Sequence, residues 1–201
     1  ADVSSLSSSG GRENGENYTH TVFVEVATSQ CCHPCHDWNE RVTRECYRAV
    51  VAARIPGEGG RIARIVNTLE HISFNFGPTL LEWMERHALR TYRAVLDADR
   101  VSCRRLGGHG NAIAQAYHHT ILPLASRRDK QTEVRWGLAD FRRRFGREAE
   151  GMWLPETAVD TETLEVLAQE GVAFTIVAPH QVEPLPGGGL PGLVRLGGGR
   201  S

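Results

Sequence analysis

The chain has 201 residues, of which 40% are hydrophobic and 23% charged, and its formal net charge is −1. That length suits one domain with a substantial core, or part of a larger one, and the balance is that of a globular protein. The near-zero charge excludes a whole-chain electrostatic footprint for nucleic acid or an anionic membrane, and no apolar run approaches a membrane span.

Almost every basic residue is arginine, and Lys130 is the sole lysine. Residues 1–17 are rich in Ser, Gly and Asn, lack the apolar core of a signal peptide, and are expected to form a disordered lead. Five cysteines, poorly distributed for a disulfide framework, point to a reducing compartment, so a cytoplasmic location is expected. Residues 21–26 have the β-branched content of a first strand. Cys31-Cys32-His33-Pro34-Cys35-His36 then contains the C-x-x-C-H spacing of haem attachment and five soft ligands. Such haem attachment requires export. A zinc site wants a second ligand pair, which Cys46 and Cys103 do not supply. The expectation is a reduced surface loop with no metal and no cofactor, a metal or haem protein being the competing reading.

Asp37 with Glu40 three residues on predicts a capped helix over 37–53. Residues 56–60 read as a turn, and 61–70 as a second helical stretch. Alternation over 72–76 predicts a strand with Phe74 and Phe76 on one face. Gly77-Pro78-Thr79 breaks it and opens a helix, and another is expected around 92–98. Gly107-Gly108-His109-Gly110-Asn111 is a loop before a short apolar run. Around that run cluster His109, Asn111, Gln115, His118 and His119, hydrogen-bonding groups suited to a sugar-binding edge or to a polar surface helix. In the helix over 129–145, Val134, Leu138, Phe141 and Phe145 make one stripe ended by Gly146. Its Arg142, Arg143 and Arg144 read as a solvated helix end.

The organising stretch is Gly151-Met152-Trp153-Leu154-Pro155-Glu156. Residues 152–154 read as a buried strand that Pro155 stops, leaving Glu156 at its carboxyl end. A carboxylate beside Trp and Pro is expected to be half-buried, and so poised for chemistry; capping of the next helix is the competing role. Asp160 caps a following helix closed by Gly171, and a second strand over 174–178 ends at Pro179-His180-Gln181. The two strands should be parallel, and both deliver polar residues at one sheet edge.

The stretches 36–41, 72–79, 108–123 and 129–181, above all the Trp-Leu-Pro-Glu block and Ala178-Pro179-His180-Gln181, together resemble glycoside hydrolase family 57, within its bacterial subgroup carrying an extra uncharacterised domain. The resemblance implies an α/β fold, part of an incomplete (β/α)7 barrel, acting on α-glucan or oligosaccharide substrates with retention of configuration. It implies Glu156 as nucleophile and a substrate cleft lined by His119 and His180. His109, Trp153 and Gln181 join them as expected substrate-binding residues. The expected layout is a lead over 1–17, the barrel-type domain over 18–182, and a Gly/Pro-rich tail over 183–201. The family's opening His/Gln/Pro motif is not seen, and the Asp that serves as its general acid lies downstream of the His180 strand, beyond the residues present. A fragment of a hydrolase or transglycosidase is therefore the leading expectation, with a non-catalytic or vestigial glycan-binding domain as the alternative.

Overall fold

The computed structural model describes residues 34–181. The expected lead 1–17, the strand 21–26, the ligand candidates Cys31, Cys32 and His33, and the tail 183–201 lie outside the described residues. Asp37 caps α1 (Trp38–Val42), accepting from the Glu40 N–H at 2.8 Å. Glu40 reaches back one residue further than a capping box does, to the His36 N–H at 2.7 Å. The helix continues through a π turn, Thr43–Tyr47, into α2 (Arg48–Val50).

Two sequence expectations fail next. The first helix stops short of Ala53, and the stretch read as helical over 61–70 opens with a strand. β1 (Ala53–Pro56) and β2 (Ile62–Val66) form an antiparallel hairpin, with Ala53 opposite Val66. Pro56 cannot continue a helix, Gly59 and Gly60 supply φ of 70° and 73° at the bend, and Ile62, Ile65 and Val66 are β-branched. Only Thr68–Glu70 turns helically, as a short 3-10 segment.

Phe74 makes a single parallel bridge to Ala112 where a longer strand was expected. The two phenylalanines do share a face, with ring centroids 5.8 Å apart. Pro78 sits in the first turn of α3 (Pro78–His87), and α4 (Leu89–Arg105) extends the expected helix in both directions.

The centre is a parallel sheet of β3 (Ala114–Gln115), β4 (Gly151–Trp153) and β5 (Phe174–Thr175), in that spatial order, with Phe74 beside β3. α5 (Arg127–Phe145) connects β3 to β4, and α6 (Thr161–Gln169) connects β4 to β5. The parallel pairing expected for the last two strands is present, Met152 lying opposite Thr175. Val134 and Phe141 of the α5 stripe meet Ala114, Ala116, Met152, Leu154, Val166 and Leu167 in one buried cluster. Each fully buried Leu, Val or Met there contributes about 1.5–3 kcal/mol.

Arg144 corrects the reading of a solvated helix end. Its side chain is 3% exposed, bonded to Asp140, Glu85 and Tyr92. The other two arginines do face solvent, because only the position of Arg144 on the helix turns toward α3 and α4.

Candidate active site

Parallel strands joined by outer helices present the loops that follow each strand at a single edge, so the carboxyl ends of β3, β4 and β5 define one site. β4 can lie between its neighbours because Gly151 has no side chain. A Cβ there would stand 2.3 Å from the Phe174 ring and 2.7 Å from Ile113 Cγ2. Past Trp153, Leu154 and Pro155 are buried, and Pro155–Thr157 makes a 3-10 turn.

Within that turn Glu156 and Thr157 take φ of 56° and 53°, and His119, past the end of β3, takes 58°. Among the described residues these are all the non-glycine residues with positive φ. Each such conformation costs about 1 kcal/mol or more, and strain of this kind concentrates at functional sites. The reversal brings His119 Nε2 to 3.5 Å from Glu156 Oε1. The Glu156 side chain is 74% exposed, against the expectation of a half-buried carboxylate. The reason is the left-handed turn, which projects Glu156 off the sheet edge and buries Pro155 instead. Nor does Glu156 cap the next helix. Asp160 does so, accepting from the Thr163 N–H at 2.7 Å.

His180 follows β5 and is exposed at the same edge. Gln181 joins the loops: its Nε2 donates to the Thr157 carbonyl at 2.7 Å, and its Oε1 accepts from the Ala178 N–H at 2.7 Å. Trp153 is the last residue of β4, half-buried and opposite Gln115 in register.

The polar group around β3 does not stay together. His109 precedes β3 and pairs with Glu150, which precedes β4, at 2.9 Å. Both therefore stand at the amino ends of the strands, away from Glu156. Asn111 bonds Ser102 and the Leu69 carbonyl, and buried Gln115 accepts from Asn75 at 2.7 Å. His118 is held by Glu133, whose carboxylate meets both its N–H and its Nδ1 at 2.8 Å. Only His119 of the five reaches Glu156. The segment is strand and turn rather than the alternative polar helix.

Two supports had no sequence signal. Lys130, 1% exposed, donates to Asp160 Oδ2 at 2.9 Å and Glu162 Oε2 at 2.7 Å, fixing the start of α6 just past Glu156. Burial works against its charge, but the two carboxylates outweigh that and raise its pKa. At the opposite end of the sheet, buried Asp99 takes a bidentate pair from Arg147, both bonds 2.9 Å, and also accepts from the Ala112 N–H at 2.8 Å. Gly110 leaves room for this lock, since a Cβ there would lie 2.3 Å from Asp99 Oδ1.

Of the Cys/His cluster, the described part holds Cys35, which is buried, and exposed His36, which stands 3.3 Å from Asp37. Cys35 departs from the expected surface loop by being buried, between exposed Pro34 and His36 in a turn that precedes α1. Among the described residues no group of three or more His, Cys, Asp or Glu side chains could hold a metal ion, and no helix is long and apolar enough to cross a membrane.

The class so defined is a mixed α/β protein with a carboxylate and two histidines at the carboxyl edge of a parallel sheet. Residues 103–181 match the model of glycosyl hydrolase family 57, which bears out over that segment the resemblance carried by the Trp-Leu-Pro-Glu block. Over 106 residues the chain is 24% identical to the 4-alpha-glucanotransferase of Thermococcus litoralis, covering 53% of this chain and 15% of that protein. The crystal structure of 4-alpha-glucanotransferase from T. litoralis aligns with a TM-score of 0.43 at 23% identity, over 54% of this chain and 17% of that one. An exo-type maltose-forming amylase from Pyrococcus sp. ST04 aligns with a TM-score of 0.47 at 14% identity, over 69% and 20%. The chain thus spans 15% of the length of the curated relative it matches.

Proposed function

We propose that this chain carries the nucleophile half of a retaining α-glucan hydrolase or transglycosidase site, with Glu156 as nucleophile and the sheet as part of an incomplete (β/α)7 barrel. The supporting observation is the strained Glu156 turn at the carboxyl end of β4, facing His119 at 3.5 Å. The family match over 103–181 covers these residues, and the relatives' names indicate glucan transfer and maltose formation.

In this reading a Glu156 oxygen attacks the anomeric carbon of a bound glucosyl unit. The bond from that carbon to the leaving oxygen breaks, and its electron pair departs with the leaving group, which an acid protonates. Water or a sugar hydroxyl then attacks the same carbon, giving its proton to the conjugate base of that acid, releases the Glu156 carboxylate and leaves the configuration retained. His119, His180 and Trp153 line the glucosyl subsite. The acid is a second carboxylate about 5–5.5 Å from the first. His109, held with Glu150 at the far end of the strands, takes no part.

The non-catalytic alternative draws on one observation, the 74% exposure of Glu156. An activated substrate separates the readings, because fluoride needs no acid to leave. With α-glucosyl fluoride the chain should release fluoride while unactivated maltooligosaccharides turn over far more slowly, and Glu156→Gln should remove the release with the fold intact. Fluoride release unchanged in Glu156→Gln would contradict the assignment.

A further inference from the structure

Glu156 and Thr157 are two consecutive non-glycine residues in the left-handed region, at φ 56° and 53°. Local bonds do not explain why the chain stays there. Thr157 N–H to the Leu154 carbonyl and Ala158 N–H to the Pro155 carbonyl, both 3.0 Å, close a turn that right-handed residues could form as well. The turn must be held from outside. Among the described residues one hydrogen bond reaches the backbone of 155–158 from another element, and it comes from Gln181.

The geometry points to Gln181 as a positioning residue for the nucleophile rather than a substrate ligand. Both ends of its side-chain amide are engaged. Nε2 donates to the Thr157 carbonyl and Oε1 accepts from the Ala178 N–H, each at 2.7 Å. Its own N–H also donates to the Ala178 carbonyl at 2.9 Å, so the residue is fixed at three points. Below it β4 and β5 are tied by the strand register and by the Thr175 hydroxyl on the Met152 carbonyl at 2.8 Å. The amide therefore transmits the position of a rigid strand pair to the turn that aims the Glu156 carboxylate.

The chemistry demands a primary amide. It must donate to one backbone carbonyl and accept from one backbone N–H at once, which neither a carboxylate nor a hydrocarbon can do. Loss of the donor leaves the strained turn free to relax, and displacement of a nucleophile by about 1 Å costs on the order of a hundredfold in rate.

This inference rests on Glu156 being the nucleophile, and the test separates the two claims. The chain is treated with 5-fluoro-α-glucosyl fluoride, whose anomeric carbon accepts the Glu156 carboxylate oxygen as fluoride leaves with its bonding pair. The glucosyl ester is located by peptide mass spectrometry. Absence of label on Glu156 in the parent would sink both claims. With the parent labelled, Gln181→Glu and Gln181→Met should lower the limiting labelling rate ten- to a hundredfold, with the half-saturating reagent concentration and the melting temperature little changed. Gln181→Glu keeps the acceptor but sets a carboxylate oxygen against the Thr157 carbonyl, whereas Gln181→Met removes the donor without adding charge, so a fall in both variants assigns the effect to the lost Thr157 bond. A raised half-saturating concentration at an unchanged limiting rate would make Gln181 a substrate ligand and overturn the inference, as would parent-like labelling in both variants.

Discussion

The two ends of the parallel sheet are built to opposite rules. At the amino end, Asp99, Arg147, Ser102 and Asn111 use their polar atoms on one another and on the backbone of the chain entering β3. At the carboxyl end, His119, Glu156 and His180 are exposed, and two of the three carry left-handed backbone. One end is buried, internally paired and relaxed, the other open to solvent and strained. Strain at the edge is tolerable because the opposite end and the core beneath over-determine the strands. A substitution at the amino end should therefore cost stability, and one at the carboxyl end should cost chemistry.

The largest stability effect is expected for Asp99→Asn. It leaves the Arg147 guanidinium without its charged partner in a site where Asp99 is only 1% exposed, and breaking such a pair costs about 3–5 kcal/mol. Urea unfolding should show a loss at the lower end of that range, since Arg147 keeps its bond to the Ala112 carbonyl. A loss below about 1 kcal/mol would remove the contrast between the two ends.

Lys130→Met sharpens the comparison, because Lys130 stands at the carboxyl end and yet belongs to the scaffold. Its carboxylate partners are partly solvated, so the expected loss is about 2 kcal/mol, with α-helical content retained. The clamp also sets a pH dependence. Burial pushes the Asp160 carboxyl up, but the Thr163 hydroxyl and N–H and the Lys130 ammonium outweigh it, so its folded pKa lies below the ordinary value. Its contribution is therefore complete above the unfolded carboxyl pKa near about 3.9 and is lost as pH falls through the lower folded value. The parent should lose stability on acidification below about pH 4 more steeply than Lys130→Met, in parallel thermal melts.

These contrasts follow the line between what could and could not be read in the sequence. The caps Asp37 and Asp160 were legible because each partner sits three residues away, and the α5 stripe because its period is local. The Glu156 edge was legible because a strand, a proline and a carboxylate fall in immediate succession. The hairpin over 53–66 was missed because short segments mixing arginine with isoleucine do not separate the two periods. The scatter of the polar group around β3 was invisible for another reason: its partners are remote in sequence. His109 meets Glu150 forty-one positions on, and Asn75 meets Gln115 forty positions on. No spacing rule reaches so far. The left-handed turn likewise draws on the Gln181 bond from the turn that follows β5, which a reading of Glu156 in its own neighbourhood cannot supply.

The smallest effect should carry the opposite sign. Glu156→Gly places at φ 56° the residue that accepts it without a Cβ penalty, so the chain should gain about 0.5–1 kcal/mol even as fluoride release disappears. A loss of stability on this substitution would show that the turn is not strained.

The most direct measurement is chemical rescue. Glu156→Ala is incubated with α-glucosyl fluoride and sodium azide, and the product is identified by NMR. If Glu156 is the nucleophile, the variant alone is inactive. Azide then enters the space left by the carboxylate, attacks the anomeric carbon from the face opposite the departing fluoride, and gives β-glucosyl azide. Absence of any azide adduct from a folded variant, alongside fluoride release at the parent rate, would contradict the account, since the bond would then be breaking without the carboxylate at the end of β4.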